Sequence, residues 1–92
     1  MDYDQFSASA TALLDRLADR VPAANAEVLR EFAQVGEWGE LIDELTAVLV
    51  AHHITLTRAE HTTLRDLADH AELPTAALDE LPVIEDPPES DA

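Results

Sequence analysis

Apolar residues recur at three- and four-residue steps through most of this chain, the spacing that lays one stripe along an amphipathic helix. Phe6, Ala10, Leu13, Leu14 and Leu17 form the first such stripe, with Asp4 placed as its N-cap. Val21-Pro22 makes a corner, because proline pushes the preceding residue out of the helical region while its own fixed φ suits a new first turn. A second helix is predicted from about Ala23 to Val35, turning Val28, Leu29 and Phe32 inward and closing at Gly36 in the left-handed conformation. A third helix starts within Glu37-Trp38-Gly39-Glu40 and carries Trp38, Leu41, Ile42, Leu45, Val48, Leu49 and His52 on one arc. Glu37, Glu40 and Glu44 fall along one flank of that arc, with Asp43 farther round.

Ile54-Thr55-Leu56 reads as a short extended connection, and Thr57 followed three residues later by Glu60 is a capping box that opens a fourth helix. That helix runs from about Arg58 to Ala71, points Leu64, Leu67, Ala68 and Ala71 inward, and stops at Leu73-Pro74. A short fifth helix over 75–81 would anchor through Leu78 and Leu81. There is no internal repeat, and no apolar-polar alternation long enough to mark a strand. The expected fold is all-α, a small bundle of four to five helices. It forms a single domain over 1–84 with an acidic, proline-rich and disordered tail over 85–92.

Composition adds two constraints. Aromatic residues are only 4% of the chain against 47% hydrophobic overall, so the core must be aliphatic. Five Lys plus Arg, all of them Arg, face 20 Asp plus Glu, a formal net charge of -15. Such a field repels a polyanion and an anionic membrane surface, which excludes nucleic acid and lipid as natural partners and favours a cationic protein. The same charge also serves to keep a small domain soluble and monomeric. With no Cys there is no disulfide or thiolate chemistry, and Asp2 and Asp4 stand where a signal peptide needs basic residues. A cytoplasmic chain beginning at Met1 is the expectation.

The side chains that could carry chemistry do not assemble by spacing. His52 and His53 are adjacent and diverge, His61 and His70 lie on opposite sides of their helix, and Asp66 with His70 reads as a solvated ion pair. No pair has one-turn metal-ligand spacing. The Ser residues lie in the first helix or the tail, and there is no phosphate-cradling glycine loop, so neither an enzyme nor a cofactor is expected. What remains is Glu37, Glu40, Asp43 and Glu44 beside Trp38. Carboxylates near a helix N-terminus meet the macrodipole favourably, and a Trp there can simply cap the core. Four carboxylates within two turns nevertheless repel one another by about a few tenths of a kcal/mol per close pair, which a basic partner would relieve.

The run Gly36-Glu37, the periodic helix through Leu41, Ile42, Leu45 and Leu49, and Ile54-Thr55-Leu56-Thr57 with Glu60 and Leu64 resembles the small helical immunity proteins of bacterial polymorphic toxin systems, particularly the MafI-like group. The resemblance covers roughly half of the chain and does not extend to the first helix. It implies a cytoplasmic antitoxin that binds the C-terminal domain of a cognate toxin. Such a domain is often a basic nuclease, whose cleft Glu37, Glu40, Asp43 and Glu44 would cover with Trp38 as an anchor. Trp38-Gly39 also invites comparison with secreted helical hairpins of the WXG type. Here the Gly stands one position early, and Pro22 and the connection over 54–57 interrupt what should be two long helices. A plain acidic helical adaptor is the third reading.

Overall fold

The computed structural model describes residues 2–85. Four helices dominate: α1 (Tyr3–Leu17), α2 (Ala23–Gln34), α3 (Trp38–Ala51) and α4 (Arg58–His70), with 3-10 turns at Ala18–Arg20 and Ala76–Glu80. The all-α expectation holds, with the fifth helix present as the second 3-10 turn. No helix among the described residues is long and apolar enough to cross a membrane. Of the tail, only Glu85 is described; residues 86–92 lie outside the described residues.

Each helix begins and ends for a local reason. The N-cap of α1 is Asp2, not Asp4: its carboxylate accepts from the Gln5 amide at 2.8 Å, and the Gln5 side chain accepts from the Asp2 amide at 3.2 Å. A capping box needs its partner three residues on, and Gln5 satisfies this for Asp2, leaving Asp4 in the first turn to face the macrodipole. At α4 the expected box forms, with Glu60 N–H donating to Thr57 Oγ1 at 3.1 Å and Thr57 N–H donating to Glu60 Oε1 at 2.9 Å.

Helices α2, α3 and α4 end in the same motif. Residues Gly36, His53 and Glu72 take positive φ values of 74°, 53° and 60°. The next amides reach back to the sixth-residue carbonyls: Glu37 to Phe32 at 2.9 Å, Ile54 to Leu49 at 3.0 Å, Leu73 to Ala68 at 2.9 Å. These are Schellman closures, and after α3 and α4 the apolar residue that follows, Ile54 or Leu73, packs into or against the core. Only the first of the three uses glycine.

The interior is mostly leucine. Leu17, Leu29, Leu41, Leu45, Leu49, Leu56, Leu64, Leu67 and Leu78 are buried together with Ile42. Helix α1 packs on α4, α2 on α3, and α3 on both α4 and the second 3-10 turn. Two expectations on this core fail. Val28 is 41% exposed, because α2 lies at the periphery and fully buries only Leu29, with Phe32 half-buried. His52 sits beyond the end of α3 and is exposed.

A strand pair absent from the sequence reading closes the molecule. β1 (Leu56–Thr57) and β2 (Val83–Ile84) pair in parallel, Leu56 opposite Val83 and Thr57 opposite Ile84, and the Leu56 amide donates to Pro82 O at 3.0 Å. Two-residue strands are too short to show any alternation. Beneath this closure the buried His61 places Nε2 2.9 Å from Leu78 O, where it donates, since a carbonyl can only accept. His70, on the opposite side of α4, sets its ring against Phe6 at 4.8 Å and 81° and makes no ion pair with Asp66.

Candidate functional site

The α2–α3 junction builds the acidic surface. Gly36 reverses the chain, Glu37 becomes the residue before α3, and Trp38 is its first residue. Trp38 is half-buried against the core, so the capping role open to it in the sequence is real. Its Nε1–H donates to Tyr3 Oη at 2.9 Å, which ties the start of α1 to this corner. A Cβ on Gly36 would lie 3.5 Å from that hydroxyl. Tyr3 was not legible as a site residue, because 35 residues separate it from Trp38.

Glu37, Glu40 and Asp43 are exposed and Glu44 is half-buried. At 100° per residue Glu40 and Glu44 share a face one turn apart, Glu37 lies beside them, and Asp43 points away from the core. Glu40, Asp43 and Glu44 lie within α3, and Glu37 precedes it as the N-cap residue with a non-helical ψ of 69°. Among the described residues no ion pair engages any of the four.

The reason lies in where the cations are. The chain has five Arg and no Lys, and each Arg is engaged internally. Arg16 and Arg20 meet Glu60, Arg30 reaches Asp15 at 3.5 Å, Arg58 reaches Glu85 at 3.1 Å and Arg65 reaches Asp79 at 2.6 Å. No arginine is left to neutralise the α3 flank.

The strongest of these contacts is a buried centre that spacing did not reveal. Glu60 Oε1 and Oε2 accept from Arg20 Nη1 and Nη2, each at 2.7 Å, and Arg16 Nε donates to Oε2 at 3.1 Å. With the Thr57 amide, the Glu60 carboxylate accepts four bonds while its side chain is 1% exposed. The bidentate Arg20 contact outweighs desolvation and, with Thr57 and Arg16, lowers the Glu60 carboxyl to about 2. The same contact raises the Arg20 guanidinium above its ordinary value. Arg20 Nη1 also donates to Thr55 O at 3.3 Å, binding the first 3-10 turn to the segment entering α4.

A groove of about 210 Å3 opens beside this centre, between Leu13 and Arg16 of α1 and Glu60 and Thr63 of α4. A carboxylate held ionised and saturated with donors has neither a proton to give nor basicity to take one, so Glu60 is a structural clasp and not a general acid or base. Among the described residues no group of three or more His, Asp or Glu is placed to hold a metal ion. No family model matches the chain, and no curated protein or solved structure matches it either.

Proposed function

We propose that this chain is an immunity protein that binds a basic toxin domain and neutralises it by covering its active-site cleft with the acidic flank of α3. One observation carries the proposal: all five Arg are engaged in internal ion pairs, while among the described residues no ion pair engages Glu37, Glu40, Asp43 or Glu44. Uncompensated like charge costs the free chain stability, and a complementary surface offsets that cost. The resemblance of Gly36 through Leu64 to MafI-like immunity proteins supplies the class of partner, a toxin C-terminal domain, with a nuclease the natural fit for carboxylates that imitate phosphates. The WXG-type hairpin gains no support from helices of 12 to 15 residues separated by corners.

The test is co-expression with the C-terminal domain encoded by the neighbouring upstream reading frame. Protection of the host and co-purification of the two chains are expected. The quadruple amide variant E37Q/E40Q/D43N/E44Q should associate at least about tenfold more slowly at low salt, since steering scales with opposed charge. An unchanged association rate would remove the acidic flank from the interface.

A further inference from the structure

We infer that an exposed apolar stripe, Val28 and Val35 of the α2 region running into Tyr3 and Trp38, is the centre of the contact with a cationic protein, and that the carboxylates around it form its rim. This rests on the basic-partner reading above and extends it to a second set of residues.

The described residues leave four large apolar side chains exposed: Val35 at 73%, Tyr3 at 64%, Ile84 at 56% and Val28 at 41%. Two of these belong to α2 and its C-cap, and the Tyr3 hydroxyl lies against Gly36, the residue that follows Val35. Val28 and Val35 are seven residues apart, two turns of helix, which places them within about 20° of each other and about 10 Å apart along the axis. Half-buried Phe32 lies between them, so the stripe extends the inward face of α2 out onto the surface. Beyond Val35, Gly36 turns the chain into the Tyr3–Trp38 hydrogen bond, which fixes two aromatic rings in advance of binding. Preordered aromatic and aliphatic side chains ringed by polar ones are the composition of an interface centre.

Charge selects the occupant. On α2, Glu27 and Glu31 border the stripe on the side away from the core, Glu37 and Glu40 lie at its far end, and Asp2 and Asp4 begin α1 beside Tyr3. A second copy of this chain would bring its own net charge of -15 and set these carboxylates against their equivalents. A surface with Lys or Arg around an apolar knob meets both halves of the patch at once.

Two synthetic peptides of equal positive charge provide the test on the full chain: an amphipathic helix of Lys and Leu, and oligolysine. Trp38, the sole Trp, reports binding by fluorescence, and amide shifts locate it. The Lys-Leu peptide is expected to bind at least about tenfold more tightly than oligolysine and to shift Tyr3, Val28 and Val35. The V28S/V35S variant, which keeps the wild-type fold by circular dichroism, should lose that margin and bind both peptides alike. Y3F, which keeps the apolar ring but removes the hydroxyl that orders Trp38, should narrow the margin without abolishing it. Equal affinity of the two peptides for the wild type, or an undiminished margin in V28S/V35S, overturns the inference. The quadruple amide variant separates the two readings: weaker binding of both peptides with the margin intact is expected, whereas unchanged binding defeats the acidic flank and leaves the stripe. A dimer in sedimentation at about 0.5 M salt, where charge is screened, that V28S/V35S dissociates would assign the stripe to a second copy and overturn the cationic partner.

Discussion

Glu60 does three things with one carboxylate: it closes the α4 capping box, clasps two arginines of the α1 end, and remains charged inside the protein. Removing the arginines would leave the Glu60 carboxylate buried without a counter-charge, whereas removing Glu60 leaves two arginines that solvent can reach. The depressed Glu60 carboxyl, about 2 against an ordinary 4.5, corresponds to on the order of 3 kcal/mol, which solvent around the partly exposed arginines reduces to about 2. E60Q should therefore lower stability at neutral pH by about 2 kcal/mol in denaturant titration. The sign follows from the lowered value. The contribution is complete above about pH 4.5 and is lost as pH falls towards about 2, so the gap between wild type and E60Q should shrink over that window. A gap that stayed constant down to about pH 2 would show that the effect of E60Q does not come from charge.

At the level of elements, three Schellman closures share one geometry and differ in the residue at the left-handed position, which makes them an internal comparison. G36A should destabilise by about 1 kcal/mol through its positive φ alone, since the added Cβ would meet only ordinary contacts. H53G and E72G should each stabilise by about the same amount, because a strained residue gives way to one without a Cβ. Gly39, inside α3 with open space around its Cβ position, should gain about 0.5–1 kcal/mol in G39A. Thermal midpoints of the four variants would check all of these. The closure at Gly36 and the box at Thr57–Glu60 were legible in the sequence because each is settled within six residues. Local rules also expose their own limit at α1, where Asp2 and Asp4 both suit a cap and only Gln5 decides between them. Val28, the Tyr3–Trp38 bond and the Arg16–Glu60–Arg20 centre were not legible, since they depend on which helix lies outermost or on partners 35 to 44 residues away. Around the candidate carboxylates, the half-buried Trp38 was legible from the sequence, and the exposure of Val28 and the contact of Tyr3 with Trp38 were not.

Across the whole molecule, charge of one sign governs the surface. Among the described residues, four carboxylates are matched to the five Arg, and Glu60 takes two of them. Self-repulsion opposes the compact state, and screening relieves it. Raising NaCl from about 10 mM to about 500 mM should therefore stabilise the free chain, by on the order of 1 kcal/mol or roughly 4–8 °C in thermal midpoint. The same salt should slow capture of a basic partner, so stability and association respond with opposite sign. A midpoint that fell with salt would mean that the five ion pairs outweigh the repulsion.

The small parallel pair bears on the order in which the molecule is made. β1 and β2 are separated by all of α4 and the second 3-10 turn, so Leu56 cannot meet Val83 until the chain has been synthesised almost to the end of its described residues. During translation α1, α2 and α3 emerge first and α4 follows with nothing beyond it to hold its far side, while Leu78 and Leu81 arrive last. Long-range pairing of this kind contributes late, after loop closure has been overcome. β2 therefore acts as a latch on a nearly finished fold, and a nascent chain that stalls before it would carry an unsealed leucine core.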